Sequence, residues 1–363
     1  MKRAGRLFGQ IATHENMAEA FWKAAKGKHL RPEVISFRQN FKAETHALIS
    51  GLIAETLDLG NYHFFDIYDP KPRRICAASF RERVLHHAVM NVCEPVLERC
   101  AIFDSYACRK GRGSHKALER AQYYLGKNSW FLKLDIHKYF DSIDHDIALN
   151  LLSRKIKDKK LLRLFRSILA TYHMAPGKGI PIGNLISQHL ANFYLSGFDH
   201  WVQENLKLPY IRYMDDFIVF GQSRYKLKKV LDHVQSWLDT HLALHLHQNR
   251  QLNQSRYGVV YLGYRVYPSG IRLSSATKSR LIRRCKQYEK DLAQDTMSEQ
   301  ELVCRIQALT AVTDTARAKG FRQTLFNRFK GVSKGHEPGD PRWRVQQPGR
   351  ELPVRLPQRQ PPV

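Results

Sequence analysis

Three aspartates stand where apolar strands are predicted to end. Asp215 and Asp216 lie between the two apolar runs of YIRYMDDFIVF (210–220), which predicts a β-hairpin with both carboxylates at its tip. Asp135 follows the apolar segment WFLKL upstream, so it also ends a predicted strand. Adjacent carboxylates repel each other, and a divalent cation relieves that repulsion. The pattern indicates metal-dependent phosphoryl transfer, although an Asp-Asp pair alone is also common in polar turns.

Phosphoryl transfer with two metal ions about 4 Å apart needs carboxylates from separate elements. Asp135 and Asp215 are the candidate bridging ligands, with Asp216 as their neighbour. One ion would activate an attacking 3′-hydroxyl, and the other would neutralise the leaving pyrophosphate. Hard oxygen ligands favour two Mg²⁺ ions, with Mn²⁺ as an alternative. The nearby Asp141, Asp144 and Asp146 are interpreted as solvated or capping residues.

The charge predicts a polyanionic partner. The 363 residues include 59 Lys and Arg against 33 Asp and Glu, a formal net charge of +26. Such an excess opposes compaction and is typical of proteins that bind polyanions. Nucleic acid is the first candidate, an anionic membrane surface is the second, and a merely solvated basic surface stays open as the plainest alternative.

The chain carries no sign of membrane insertion or export. It has no run of about 18 apolar residues, which excludes a spanning helix. The N-terminal MKRAGRLFGQ lacks the apolar core of a secretory signal. None of the six cysteines forms a C-x-x-C pair, so we expect reduced thiols in a cytoplasmic protein.

The elements that must position the aspartates alternate between helix and strand. Helices are predicted over 15–59, 84–97, 184–204, 227–244 and 276–329, and strands over 130–134, 210–213, 217–220 and 259–267. The segment YDPKPRRI (68–75) predicts a loop, because its two prolines exclude a helix. The last 33 residues hold 7 of the 15 prolines and predict no packed domain.

Three motifs, taken in order, resemble the palm of reverse transcriptases. Asp135 lies in FLKLDIHKYF, GIPIGNLISQ (179–188) follows, and YMDD (213–216) comes last, which matches the family's motifs A, B and C. The resemblance covers about 15–329. It implies an α+β, right-hand polymerase fold with fingers, a palm formed by an antiparallel sheet backed by helices, and a helical thumb.

The resemblance also implies a domain plan. An N-terminal helical region would span 1–66, and fingers and palm would span 67–274, with the fingers at 67–128 and the palm at 129–274. A helical thumb would occupy 275–330, and 331–363 would be a Pro-rich, basic and disordered tail.

Further residues take their expected roles from the family. Asp135, Asp215 and Asp216 would be catalytic and would hold the metal together with Ile136. Phe140 matches an aromatic gate that excludes a 2′-hydroxyl, although a core phenylalanine is the simpler alternative. The other implied nucleotide-binding residues are Lys71, Arg73, Arg74, Ile182, Gly183 and Gln188. A primer grip is implied at Tyr261, Leu262, Gly263 and Tyr264, and contacts with the template–primer backbone at Lys278, Arg280, Arg283 and Arg284. Arg109 is similar to a fingers arginine.

Motif B favours one branch of the family. Many reverse transcriptases have Gln before the glycine and Ser-Pro at the end, whereas here Ile182 precedes Gly183 and the motif ends in Ser187-Gln188. This resembles the enzymes of diversity-generating retroelements, which copy a template RNA with errors opposite adenines. A glutamine beside the nascent pair hydrogen-bonds, whereas isoleucine only packs, so selection is relaxed by about 1–3 kcal/mol.

That branch implies several partners and a setting. The partners are a template RNA, the RNA/cDNA duplex, deoxynucleoside triphosphates and an oligomeric accessory variability determinant, in a bacterial or phage-encoded system. Two alternatives stay open. One is a retron-like or antiviral-defence reverse transcriptase, and the other is a non-catalytic RNA-binding scaffold, against which the intact Asp135, Asp215 and Asp216 argue.

Overall fold

A computed structural model describes residues 3–68, 72–316 and 318–329. The chain divides between Arg272 and Leu273 into two compact units. The first unit mixes helices with antiparallel strands, and the described part of the second is mainly helical. Lys71 and the tail from residue 330 onward lie outside the described residues.

The helices of the described first unit are α1 (Leu7–Ile11), α2 (His14–Ala25), α3 (Pro32–Gln39), α4 (Phe41–Ala54), α5 (Phe80–Glu98), α6 (Ser114–Lys127), α7 (Tyr139–Ser142), α8 (His145–Ser153), α9 (Lys159–Ala170), α10 (Leu185–Tyr194), α11 (Ser196–Trp201) and α12 (Arg224–Leu242). A π-helical turn spans Val202–Leu206 and a 3-10 turn spans Ser255–Tyr257. The strands are β1 (Tyr62–Tyr68), β2 (Pro72–Ala78), β3 (Trp130–Asp135), β4 (Tyr210–Tyr213), β5 (Asp216–Gly221), β6 (Gln251–Gln254), β7 (Val259–Tyr261), β8 (Tyr264–Tyr267) and β9 (Gly270–Leu273).

A four-stranded antiparallel sheet, in the order β4-β5-β3-β6, forms the palm. Its two inner strands, β3 and β5, are mostly apolar because their side chains are covered by protein on both faces. Phe131, Phe217 and Phe220 are completely buried, and α6 and α12 pack against the sheet. The α+β class and the helix-backed antiparallel palm predicted from the sequence are confirmed.

A β-hairpin of β1 and β2 forms a separate two-stranded sheet, the fingers hairpin, with Tyr62 opposite Ala78 and Tyr68 opposite Pro72. The predicted loop over 68–75 is therefore wrong for Pro72–Ile75, which belong to β2. Pro72 is tolerated because it is the first residue of an edge strand, where a missing N–H breaks no internal ladder.

The predicted helix over 15–59 is three helices. Gly27, at φ 71°, ends the turn after α2, and Pro32 occupies the first turn of α3. The helices fold back on one another around an aromatic cluster in which the ring centroid of Phe37 lies 5.5 Å from that of Phe21 and 5.4 Å from that of Phe80.

The prediction of a single strand over 259–267 is wrong, because a tight turn divides it into two strands. The chain forms a hairpin of β7 and β8, with Tyr261 opposite Tyr264. Leu262 and Gly263 between them have φ values of 50° and 85°, the sign pattern of a type I′ turn, which suits a two-residue hairpin.

The predicted helices over 84–97 and 227–244 are confirmed, and the helix over 184–204 is interrupted at Leu195.

The second unit contains α13 (Ser275–Ala293), α14 (Glu299–Ala311) and α15 (Lys319–Arg328), which confirms the helical character predicted for 276–329. Helix α13 buries Thr277, Leu281 and Cys285 on one face.

Among the described residues, no helix combines the length and the apolar character that crossing a bilayer requires. All six cysteines are free thiols, as expected.

Candidate active site

The register of the palm sheet brings two of the predicted aspartates together. Asp135 is the last residue of β3 and Asp216 is the first residue of β5, and the two stand opposite each other in the ladder. Asp215 precedes β5 in the turn that follows β4, where Tyr213 pairs with Asp216. Three carboxylates from two chain segments therefore lie at one end of the sheet.

The turn that carries Asp215 is a tight one. Met214 and Asp215 are its two central residues, and Met214 has φ 57°. A positive φ at the first central position is typical of a type II′ turn, in which glycine is ordinarily found. The methionine there is strained, and such strain persists only where the surrounding structure holds it.

Arg212 supplies that support. Its fully buried guanidinium donates from Nη1 to the carbonyl oxygen of Met214 at 2.9 Å. Its Nε and Nη2 donate to the two carboxylate oxygens of Asp199 at 2.7 and 2.5 Å, and its Nη1 also donates to Asn192 Oδ1 at 2.9 Å. The sequence pattern did not lead to these residues. The available signal was a lone arginine inside the apolar strand YIRY, which a buried strand admits only with a partner.

Burial and mutual repulsion disfavour the ionised forms of Asp215 and Asp216. Burial, reinforced by the charge of Asp135, raises the pKa of Asp215 to about 6. Burial raises the pKa of Asp216 to about 7, against the opposing effect of Lys133, whose Nζ lies 3.1 Å from Asp216 Oδ2. Lys133 lies two residues before Asp135 and so shares its face of β3, a contact that the sequence motif did not reveal.

The donor set fits a hard divalent cation. Oδ1 of Asp216 is buried and has no hydrogen-bond partner among the described residues, so it is a carboxylate oxygen with a free lone pair. Among those residues, no group of three or more His, Cys, Asp or Glu side chains forms a ready-made metal cluster. Mg²⁺ commonly binds through one or two carboxylates and completes its shell with water and substrate phosphates, so the arrangement is compatible with it.

The backbone after Asp135 is held in place by a crossing segment. The Asp135 carbonyl oxygen accepts a hydrogen bond from the N–H of His247 at 2.7 Å, and Ile136 forms an antiparallel bridge with Leu246. The side chain of Ile136 is buried, so only its backbone could take the predicted role in metal binding.

Motif B lies directly against the fingers hairpin. The carbonyl oxygen of Ile182 accepts a hydrogen bond from the N–H of Cys76 at 2.8 Å. Gly183 has φ 113°, and a Cβ atom there would lie 2.8 Å from Cγ2 of Ile75. The structure thus brings Ile182 and Gly183 to β2, and the close approach explains why residue 183 is glycine.

The other predicted nucleotide-binding residues, Arg73, Arg74 and Phe140, lie in three different environments. Arg73 is exposed, and its positive charge acts to lower the pKa of Asp215 against the net rise. Arg74 stacks on Phe64, with its guanidinium carbon 4.7 Å from the ring centroid. Phe140 is half-buried beside Tyr139, with ring centroids 5.8 Å apart.

Two further motif residues have structural contacts of their own. The side-chain oxygen of Gln188 accepts from the thiol of Cys108 at 3.6 Å. Arg109, similar in sequence to a fingers arginine, is held by Glu98 at 2.7 Å and by the carbonyl oxygens of Ile102 and Ser105. Through these bonds, Arg109 stabilises the loop that follows α5.

The predicted primer grip forms the β7–β8 hairpin and lies beside the palm aspartates. Tyr261 is fully buried, and its hydroxyl has no hydrogen-bond partner among the described residues. Nζ of Lys133 lies 6.0 Å from the Tyr261 ring centroid, so the same lysine connects this hairpin with Asp216. Tyr264 is buried, whereas Gly263 is exposed at the turn.

The predicted backbone contacts of the thumb belong to the second unit. Lys278, Arg283 and Arg284 are exposed on α13, and Arg280 is half-buried. They lie off the buried face that Thr277, Leu281 and Cys285 form. Their contact with a template–primer duplex remains a prediction.

Comparison with known proteins gives a family match over most of the first unit. The family model "Reverse transcriptase (RNA-dependent DNA polymerase)" matches residues 69–266, more than half of the chain. The chain is 32% identical over 149 residues to the group II intron-encoded protein LtrA of Lactococcus lactis, covering 39% of this chain and 24% of LtrA. It is 23% identical over 318 residues to protein YkfC of Escherichia coli, covering 73% of this chain and 83% of YkfC.

Two further matches are a yeast intron protein and a solved structure. The putative COX1/OXI3 intron 1 protein of Saccharomyces cerevisiae is 27% identical over 151 residues, which cover 38% of this chain and 18% of that protein. The chain thus spans less than a quarter of two of these three relatives. Among solved structures, the apo telomerase of Candida tropicalis matches with a TM-score of 0.48 and 12% identity, over 80% of this chain and 66% of that one.

Proposed function

This chain belongs to the reverse transcriptase (RNA-dependent DNA polymerase) family, and from that premise we propose that it extends a primer with deoxynucleotides along an RNA template. The observation that carries the proposal is the pairing of Asp135 with Asp216 across β3 and β5, with Asp215 in the adjoining turn. Carboxylates from two segments at one point are what metal-dependent nucleotidyl transfer requires.

The reverse transcriptase family uses divalent metal ions, and we propose two Mg²⁺ ions here, with Mn²⁺ as a substitute. Asp135, Asp215, Asp216 and the backbone of Ile136 are the candidate ligands. The bound ions would supply charge neutralisation at the attacking 3′-hydroxyl and at the leaving pyrophosphate. The unpartnered Oδ1 of Asp216 supports this assignment.

The chain's own residues would bind and orient the reactants. Arg73, whose charge acts to lower the pKa of Asp215, would pair with phosphate oxygens of the incoming nucleotide, with Lys71 and Arg74 as further candidates. Lys133 would hold Asp216 in place on the palm sheet. We propose that Phe140 excludes a 2′-hydroxyl, that Tyr261 and the turn beside it position the primer end, and that α13 contacts the duplex backbone.

We further propose that copying is error-prone opposite template adenines, as in diversity-generating retroelements. The supporting feature is Ile182, which precedes Gly183 and whose carbonyl is fixed to the Cys76 N–H of the fingers hairpin. A side chain held at this point without a polar group can pack against a nascent pair but cannot hydrogen-bond to it. On this proposal the partners include a structured template RNA and an oligomeric accessory variability determinant.

Primer extension tests the general proposal. A DNA primer annealed to an RNA template should grow when all four deoxynucleotides and Mg²⁺ are present, and growth should stop when a chelator is added. Failure of the wild-type protein to add any nucleotide would favour the alternative of a non-catalytic RNA-binding scaffold. Sequencing of the product would then show whether errors concentrate opposite template adenines, as the diversity-generating hypothesis requires and the retron-like or antiviral-defence alternative does not.

A further inference from the structure

Three exposed aromatic rings lie on elements that meet at the end of the palm sheet opposite the aspartates. Strand β3 runs from Trp130 to Asp135, so its ends lie about 17 Å apart at roughly 3.3 Å per residue. Around the Trp130 end lie the 3-10 turn at Ser255–Tyr257, the end of α6 and the start of α12. We call this region the palm-base surface, and we define it by the residues Tyr123, Lys127, Arg224, Tyr225, Arg256 and Tyr257.

A lysine or arginine lies over each exposed ring of the palm-base surface. Tyr123, Tyr225 and Tyr257 are 47%, 66% and 50% exposed. Lys127 Nζ lies 4.5 Å from the ring centroid of Tyr123, Lys229 Nζ lies 4.7 Å from that of Tyr225, and the Arg256 guanidinium lies 4.8 Å from that of Tyr257. The Arg224 guanidinium lies 6.0 Å from the ring centroid of the half-buried Trp130.

An open groove of about 520 Å³ lies at the Trp130 end of the sheet. Lys127, Trp130 and Arg256 line it together with the polar side chains of Asn128, Ser129 and Gln254. The groove is joined to the start of α12, because Gln222 Nε2 donates to the carbonyl oxygen of Lys127 at 2.7 Å. At that start, four exposed cations fall within six residues, and they are Arg224, Lys226, Lys228 and Lys229.

We propose that the palm-base surface binds an unpaired stretch of the template RNA outside the active site. The inference rests on the proposed function and deepens it. Exposed aromatic rings stack on unpaired bases, and interleaved lysines and arginines contact the phosphates, which is the pattern of single-strand-binding surfaces. A duplex would not use the rings, because its bases are already stacked on each other.

The charge distribution favours RNA over a protein partner. The centre of a protein–protein interface is depleted of charged residues, whereas here a cation lies against every exposed ring. On the two helices that border the groove, the acidic residues nearest to it are Glu119 on α6 and Asp232 on α12, fewer than the neighbouring cations. The surface therefore complements a polyanion with aromatic bases.

A binding measurement with two template lengths tests the inference. Labelled RNA templates annealed to one DNA primer would carry 5′ unpaired extensions of about 4 or about 16 nucleotides, the range that single-strand-binding modules cover. We expect the wild-type protein to bind the longer extension more tightly by fluorescence anisotropy. The variant Tyr123→Ala/Tyr225→Ala/Tyr257→Ala should lose about tenfold on the longer template and keep its affinity for the shorter one.

Control arms make each outcome decisive. Trp22→Ala removes an equally exposed ring from α2 and should change neither affinity. Unchanged binding of the long template by the triple variant, or equal loss on both templates, would overturn the inference. The inference would also be overturned if the triple variant lost affinity only for an unpaired DNA extension on the primer. The same holds if it lost affinity only for polyglutamate, which serves as a probe for an acidic protein. Primer extension on the same complexes reports separately on the proposed function.

Discussion

Arg212 and Asp199 form a two-point ion pair that is completely buried beneath the turn carrying Asp215. The pair joins α11 to β4, and the same guanidinium reaches the carbonyl oxygen of Met214. A buried charge pair adds little net stability over an apolar pair of the same volume, but loss of one partner leaves an uncompensated charge. The geometry of the Asp215 turn thus depends on a residue that lies outside the YMDD motif.

Replacement of Arg212 should damage both stability and activity. In Arg212→Ala the buried Asp199 loses its partner, and we expect the free energy of unfolding to fall by about 3–5 kcal/mol. The double variant Arg212→Met/Asp199→Leu removes both charges and should regain most of that stability, while its activity stays low because Met214 lacks its hydrogen-bond donor. Chemical denaturation and primer extension measure the two effects. A double variant less stable than the single one would contradict this view.

The metal-free protein should lose stability as the pH rises through the range in which Asp215 and Asp216 ionise. Burial raises the pKa of Asp216 to about 7, whereas an unfolded Asp titrates near about 3.9. A raised folded pKa means that the stability is fully present below the unfolded value and is lost as the pH climbs through the folded one. The charge of Lys133 lowers the pKa of Asp216, and the charges of Asp135 and Asp215 raise it.

Asp216→Asn should therefore stabilise the metal-free protein at pH 8 by about 2 kcal/mol, a value reduced for the partial exposure of the site. At pH 3, below both pKa values, the variant and the wild type should be equally stable. Thermal unfolding in the presence of a chelator, at both pH values, measures the difference. Equal stability at pH 8 would mean that the carboxylate is not held in an unfavourable environment.

Gly183→Ala should disturb the contact between motif B and the fingers hairpin. The added Cβ would meet Ile75 Cγ2 at 2.8 Å on a backbone with φ 113°, and we expect a cost of about 1–3 kcal/mol in stability together with a raised KM for deoxynucleotides. Gly177→Ala is a matched control, because Gly177 also has a positive φ, 68°, but a Cβ there meets nothing within 4 Å. Equal KM values for the two variants would refute the role of the close approach.

The local patterns of the sequence predict much of this fold, and contacts distant in sequence explain the rest. Strand β3 and the hairpin around Asp215 follow from apolar runs that end in carboxylates, but the pairing of Asp135 with Asp216 is a property of the sheet register. The role of Lys133 depends on that register, and the role of Arg212 depends on Asp199, thirteen residues earlier on another element. Strand β2 of the fingers hairpin was missed because Pro72 is its first residue, a position in an edge strand where proline is tolerated.

Ile182→Gln should make copying more accurate opposite template adenines. The Ile182 carbonyl is bonded to the Cys76 N–H, so the new amide would be presented from a fixed backbone position and could hydrogen-bond near the nascent pair. We expect adenine-directed misincorporation to fall about tenfold, which corresponds to about 1.4 kcal/mol of added discrimination. Sequencing of cDNA measures it. Ile182→Val, which can only pack, should leave the errors as they are, and an unchanged spectrum in the Gln variant would count against the proposal.

The most direct test concerns Asp215. Asp215→Asn keeps the size of the side chain and removes its charge, whereas Asp146→Asn changes an exposed aspartate on α8 as a control. With a DNA primer on an RNA template, deoxynucleotides and Mg²⁺, we expect the wild type and Asp146→Asn to extend the primer and Asp215→Asn to add no nucleotide. Extension by Asp215→Asn at the wild-type rate would contradict the assignment of this site as the polymerase centre.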